Sequence, residues 1–289
     1  MKEKIIEKVL AGCALLTVIT TLGIILVLLV EAVSFFKDVS IVEFLTSTEW
    51  TPLFSQKNYG ILPLLAGTFL TTVIAIIVAL PVGLTIAVYL SEYAPDRFRK
   101  IVKPLLEVLA VVPTVVYGFF ALMIVTPFLK SFIPELSGFN ALSPGIVIGI
   151  MIIPFVSSLS EDALRSVPNS LREAAFGMGS TRLQTAFRVM IPAASSGIIV
   201  SIILAFSRAI GETMIVAIAA GQQPRFTFDP TVPIETITAY IVQVSMGDVP
   251  YGTLAYKTIF AAGITLFVFT FALNTLSFWV RTKYQNKYE

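Results

Sequence analysis

The sequence has no histidine and only one cysteine, Cys13, in 289 residues. Metal or haem centres built on His and Cys clusters are therefore excluded. So are a Ser-His-Asp triad and a Cys-His nucleophile pair. A lone cysteine forms no intrachain disulfide, and Cys13, set in an apolar run, reads as a small buried apolar residue. The phosphate-cradling run G-x-x-x-x-G-K-[ST] is missing too. The expectation is a chain with no catalytic residues, no metal and no cofactor of its own.

Charge is equally scarce. Only 13% of residues are charged, against about 25% in an average soluble domain, while 56% are hydrophobic. Such a chain cannot coat a water-facing surface and uses lipid as its solvent. The net charge of +2 gives no footprint for nucleic acid.

What is present is long apolar runs. Charge-free stretches cover 9–30, 58–91, 108–129, 136–160 and 258–280, and 189–224 is broken only by Arg208 and Glu212. A spanning helix needs about 20 residues. The expected architecture is all-α, with six transmembrane helices near 9–33, 60–90, 106–129, 143–160, 192–221 and 258–280. The first run, behind Lys2, Lys4 and Lys8, exceeds the apolar core of a signal peptide and reads as a retained helix.

Lys and Arg set the orientation. With residues 1–8 in the cytoplasm, 14 of the 20 cations fall on cytoplasmic segments: Lys2, Lys4, Lys8, Arg97, Arg99, Lys100, Lys103, Arg165, Arg172, Arg182, Arg188, Arg281, Lys283 and Lys287. Five fall outside, namely Lys37, Lys57, Lys130, Arg225 and Lys257. Both termini are thus expected in the cytoplasm, and 9–289 forms one membrane domain. Pro81, Pro113, Pro127 and Pro154 lie in spans, where proline frees a carbonyl and bends the axis. Gly145 and Gly149 form a G-x-x-x-G pair suited to close helix packing.

The longest cytoplasmic segment, 161–188, is patterned. Ser170 and Glu173 have capping-box spacing, with Leu171, Ala174, Ala175 and Met178 on one helical face. Thr181 and Gln184 offer a second box, followed by Leu183, Ala186 and Phe187. Two short amphipathic helices joined at Gly177–Gly179 are predicted. They suit either the membrane surface or a groove on another protein.

Glu173-Ala174-Ala175, then Gly179, then Val189-Met190-Ile191-Pro192 resembles the EAA motif of ABC-importer permeases, with conservative changes at Val189 and Ile191. The resemblance implies a MetI-like type I importer fold. It also implies that Glu173, Ala174, Ala175, Gly179 and Pro192 belong to the coupling loop that docks on a separate ATPase chain.

Arg208 and Glu212 are two charges in an apolar run that centres near residue 207. A charge at mid-membrane costs about 2.5–3.5 kcal/mol even on a lenient scale. At a spacing of four they share a helix face and can pair. They read either as a structural pair or as part of a substrate path. Guanidinium is always charged and its fork fits phosphate or carboxylate, and a carboxylate can accept a proton-bearing oxyanion. Glu107, at the start of the third span, reads as interfacial. Ser207–Met214 resembles the R-A-x-G-E-T-M segment of phosphate-specific ABC importer permeases, the PstC type more than the PstA type. That resemblance implies phosphate passage at Arg208 and Glu212. It implies a second permease (PstA-like), a dimer of ATPase subunits (PstB-like) and an extracytoplasmic phosphate-binding protein (PstS-like) in the cell membrane. Permeation of sulfate, molybdate or phosphonate is the alternative reading, and an ATP-independent anion channel or transporter is a further one.

Overall fold

The computed structural model describes residues 2–285, with side chains described from 6 to 279. Of the cations used for orientation, Lys2, Lys4, Arg281 and Lys283 are therefore described as backbone only, and Lys287 lies outside the described residues.

The apolar runs fold as helices because lipid offers no partner for peptide groups. In chain order these are α1 (Lys2–Phe36), α2 (Ile41–Thr46), α3 (Leu62–Val88), α4 (Asp96–Val111), α5 (Thr114–Phe120), α6 (Thr126–Lys130), α7 (Leu142–Ser166) and α8 (Asn169–Gly177). They continue with α9 (Arg182–Thr185), α10 (Ile191–Ala193), α11 (Ser195–Ile210), α12 (Met214–Ala219), α13 (Ile237–Met246) and α14 (Leu254–Gln285). Wider π-type turns at 89–93, 121–125 and 186–190 prolong α3, join α5 to α6 and join α9 to α10. Among the described residues there are no strands, only isolated bridges between Trp50 and Tyr59 and between Gly221 and Ile234.

Four helices are long and apolar enough to cross a membrane singly: 6–36, 62–93, 142–166 and 254–279. The other two expected spans are bent pairs. One turns by 83° between Val111 and Thr114, the other by 73° between Ala193 and Ser195. The first break falls at Pro113, which has no N–H to continue the ladder and pushes Val112 out of the helical region. The helix expected to begin near 106 thus starts at Asp96, and α4 lies at an angle to α5. Glu107 sits exposed on α4, one-sided in its polarity, and not at the mouth of a straight span.

α3 and α7 form the centre. Their backbones approach closely because Gly145 and Gly149 offer no side chain. A Cβ at Gly145 would lie 2.8 Å from Ile74, and one at Gly149 would lie 2.7 Å from Val78 and 2.8 Å from the Ala75 carbonyl. Ile148 and Ile152 of α7 share this core with Ala121, Ala205, Ile215 and Val216. A second cluster, Phe35, Phe44, Trp50, Tyr59, Ile61 and Tyr240, closes one end of the bundle. The opposite end holds Arg99, Lys103, Arg165 and Arg172 and is termed the basic end.

α1 differs from its expectation at Cys13. The thiol is exposed, because α1 lies on the outside and its chief neighbour within the chain is α14.

Candidate functional site

Two regions hold the residues singled out by sequence. At the basic end, α7 stops at Val167–Pro168 and α8 begins at Asn169. Pro168 takes the capping position, so Ser170 already lies in the first turn and makes no capping bond. The Ser170–Glu173 box is therefore not formed. The second box is. The Thr181 N–H donates to Gln184 Oε1 at 2.9 Å, and the Gln184 N–H donates to Thr181 Oγ1 at 3.3 Å. Between the two helices Gly179 has φ +82°, the left-handed conformation that glycine adopts at least cost. Ala175 is buried, whereas Glu173, Ala174, Gly179 and Pro192 are exposed. Met178 is 87% exposed, and Leu183 and Phe187 stand exposed nearby. The chain thus presents an apolar knuckle at its basic end.

Inside the bundle, Ile198, Ser201, Ala205 and Ala209 form the buried face of α11. Ser160 and Ser201 hydroxyls meet at 2.8 Å and tie that face to α7. Next to it, a cleft of about 410 Å³ runs between α7 and α10–α11, lined by Ser166, Ser196, Val200 and Leu204 among others. Arg208 lies one turn beyond Leu204, past the lining of this cleft. Its guanidinium is exposed and has no ion pair or hydrogen bond within the described residues. It sits in the last turn of α11, where the carbonyl end of the helix favours a cation. Ser207 Oγ beside it is buried without a partner.

Glu212 is elsewhere. The helix ends at Ile210, so the four-residue spacing no longer places the two charges on one face, and they do not pair. The Glu212 carboxylate turns instead to the next helix. Its Oε1 accepts the N–H groups of Met214 at 3.2 Å and Ile215 at 3.4 Å, which would otherwise be orphaned at the start of α12. The Thr238 hydroxyl donates to the Glu212 carbonyl at 2.7 Å. Glu212 thus fixes the break after Arg208, and it is 7% exposed. Glu212→Ala is expected to lower stability by about 1 kcal/mol, while Glu212→Gln retains an acceptor and the fold. Thermal unfolding of the two purified variants in one detergent checks this; equal midpoints would contradict it.

Three buried acids went unremarked in the sequence, since nothing in their flanks separates them from surface acids. Glu92 is held by Arg172 at 2.8 Å. Glu161 is met by Lys103 at 2.7 Å, with Arg99 and Arg165 within 4 Å. Glu235, in the segment between α12 and α13, is 1% exposed and its Oε1 has no partner. It lines a cavity of about 130 Å³ with Trp50 and Tyr240. Burial pushes its carboxyl up to about 8. Its folded pKa lies above the unfolded value, so the folded state holds an extra proton between about pH 4.5 and 8. Stability accordingly falls as pH rises through that window and levels off above it. Glu235→Gln should flatten this slope in thermal unfolding followed from pH 5 to 9; an unchanged slope would assign it to other groups.

Comparison with known proteins follows the same lines. The family described as "Binding-protein-dependent transport system inner membrane component" matches residues 79–287. The "Probable ABC transporter permease protein YqgH" of Bacillus subtilis (strain 168) is 34% identical over 265 residues, covering 91% of this chain and 85% of that one. The "Phosphate transport system permease protein PstC" of Mesorhizobium japonicum is 34% identical over 253 residues, covering 81% and 76%. Among solved structures, a bacterial ABC transporter that imports the acidic polysaccharide alginate superposes with a TM-score of 0.65 at 16% identity, covering 97% of this chain and 96% of that one. The MetNI methionine ABC transporter, in inward-facing conformations, gives 0.53 at 19% identity, covering 76% and 94%. These structures share the fold.

Proposed function

The chain belongs to the family of binding-protein-dependent transport system inner membrane components, and from that premise we propose that it is the permease subunit of an ATP-driven phosphate importer. It is a multi-pass inner-membrane transport subunit, and ATP hydrolysis falls to a separate chain. Members of the family work with an ATPase and a binding protein. In the proposed assembly the partners are a PstA-like permease, two PstB-like ATPase subunits and a PstS-like phosphate-binding protein. The basic end faces the cytoplasm.

One observation carries the substrate reading. Arg208 is an exposed charged residue in the last turn of an apolar helix, with no partner among the described residues. A guanidinium kept unpaired at such cost is available to an anion in transit. The names of relatives such as the Mesorhizobium protein point to phosphate among anions. In this reading the chain forms half of the pore, and the face of Arg208 not covered by α7 meets the second permease. Glu212 serves the path by holding the helix break that ends α11 just past Arg208. The knuckle formed by Glu173, Ala174, Ala175 and Gly179 docks on the ATPase, and Pro192 sets the start of the helix behind it.

The test is reconstitution. The chain, co-expressed with its partner permease and ATPase, is placed in vesicles with the binding protein, and uptake of labelled phosphate is followed with and without ATP. ATP-dependent uptake unaffected by excess sulfate supports phosphate import. Competition by sulfate would move the substrate to another oxyanion. Flux of anions through the chain alone, without ATP, would replace the importer with a channel.

A further inference from the structure

The coupling helix of this reading is tied to the bundle by one charge pair. Arg172 Nη2 donates to Glu92 Oε1 at 2.8 Å, and Arg172 Nε donates to Glu92 Oε2 at 3.1 Å. This is a two-pronged bond between a planar donor and a planar acceptor, which fixes angle as well as distance. Arg172 is itself braced, because its Nη1 donates to Asn169 Oδ1 at 2.6 Å. Glu92 is further oriented by the Ser91 hydroxyl at 3.1 Å. The Glu92 side chain is only 4% exposed. Removing the cation from a carboxylate covered to that extent leaves its partner uncompensated.

The two residues stand 80 positions apart in sequence and on different bodies. Arg172 lies on α8, most of whose other side chains are exposed. Glu92 lies in the wide turn that ends α3. α3 runs the length of the bundle. Near its far end the Thr68 hydroxyl accepts the Ile237 N–H at 3.1 Å, and Gly67 lies against the Glu235 carbonyl. Residues 68 to 92 cover roughly 36 Å at 1.5 Å per residue. One continuous helix, with Pro81 inside it, therefore touches the coupling helix at one end and the segment between α12 and α13 at the other.

We propose that Arg172 and Glu92 are positioning residues that lock α8 to α3, so that movement of the coupling helix is delivered through α3 to the far end of the bundle. The proposal rests on the coupling role assigned to α8. A looser contact would let α8 follow the ATPase while α3 stayed still. A fork on a buried carboxylate resists both sliding and rotation.

The experiment uses the assembled complex with Cys13→Ala, and spin labels at two exposed far-end positions, Phe54 and Met246. The distance between labels is read with and without nucleotide, beside ATP hydrolysis and the yield of assembled complex. Glu92→Gln, Arg172→Gln, Arg172→Lys and the double Gln variant are compared. In the parent, nucleotide is expected to change the distance. In both Gln variants the complex assembles and hydrolyses ATP, but that change is lost, and transport per ATP falls by about tenfold. The double variant is no worse than either single, as for two halves of one tie. Arg172→Lys, which keeps charge without the fork, retains part of the response. A nucleotide-driven change intact in both single variants would overturn the proposal. So would additive losses, or loss of assembly together with hydrolysis, which would make the pair merely structural. The label readout does not depend on the transported anion. Failure of the parent to import phosphate would therefore count against the substrate alone.

Discussion

Arg208→Ala is expected to cut ATP-driven phosphate uptake by about 10- to 150-fold, the range spanned by one hydrogen bond to a charged group, without lowering assembly or thermal stability. The asymmetry follows from the geometry. Arg208 makes no hydrogen bond or ion pair among the described residues, so its removal orphans nothing there. It also takes a charge out of an apolar helix, which by itself favours the fold. Arg208→Lys keeps a point charge but loses the planar fork, and should fall between the two. Uptake in vesicles, normalised to the amount of intact complex, measures the effect. Normal uptake by the alanine variant would remove Arg208 from the path. A loss of complex in proportion to the loss of uptake would make it a contact between permeases instead.

Gly67→Val should have a large structural effect. A side chain at Gly67 would run into the carbonyl of Glu235, which is backbone and has no rotamer to yield. The neighbouring contacts leave no slack, since the Ile237 N–H is already bonded to Thr68 and the Ile234 N–H to the Ala220 carbonyl at 3.0 Å. Forcing extra carbon into packed structure costs about 1–3 kcal/mol and sometimes more. Here the strain falls on the seat of the segment between α12 and α13. The expected result is a lower unfolding midpoint and faster proteolysis within 222–236. Gly23→Val is the control. Nothing lies within 4 Å of a Cβ there, and the midpoint should not drop. Equal behaviour of the two variants would show that the seat of Glu235 on α3 is not a tight one.

The helices were readable because lipid imposes a length and a composition on any segment that crosses it. The breaks were readable only in part. Pro113 announces a bend, but the 83° turn that lays α4 aside depends on Lys103 and Arg99 finding Glu161 of α7, more than fifty residues on. The end of α11 at Ile210 has no proline behind it. It depends on Glu212 capping α12 and on Thr238 holding its carbonyl, contacts that exist only once the chain has folded. For that reason the spacing of Arg208 and Glu212 suggested a pair that the structure does not form. Of the two amphipathic helices near 161–188, the second box formed because Thr181 follows a glycine turn. The first did not, because Pro168 had already started the helix. Glu92, Glu161 and Glu235 were invisible for a different reason: burial of a single acid is decided by what packs over it, and each is covered by distant segments.

The place of α1 bears on how the protein is made. α1 ends at Phe36 and its chief neighbour, α14, begins only at Leu254, so α1 leaves the ribosome long before the helix it packs on. Throughout synthesis α1 must therefore rest in the bilayer as a lone helix, stable on its own apolar surface, before any contact can recruit it. Its side chains fit that life, being exposed on every face from Ile6 to Ile24, with packing that begins near Leu28 and is closest around Phe35. A chain cut short between α13 and α14 would leave α1 adrift, tethered to the bundle mainly through the loop after Phe36. Such a nascent protein would have its α3–α7 centre in place while its first helix remained free to be claimed by another subunit or by the membrane's proteases.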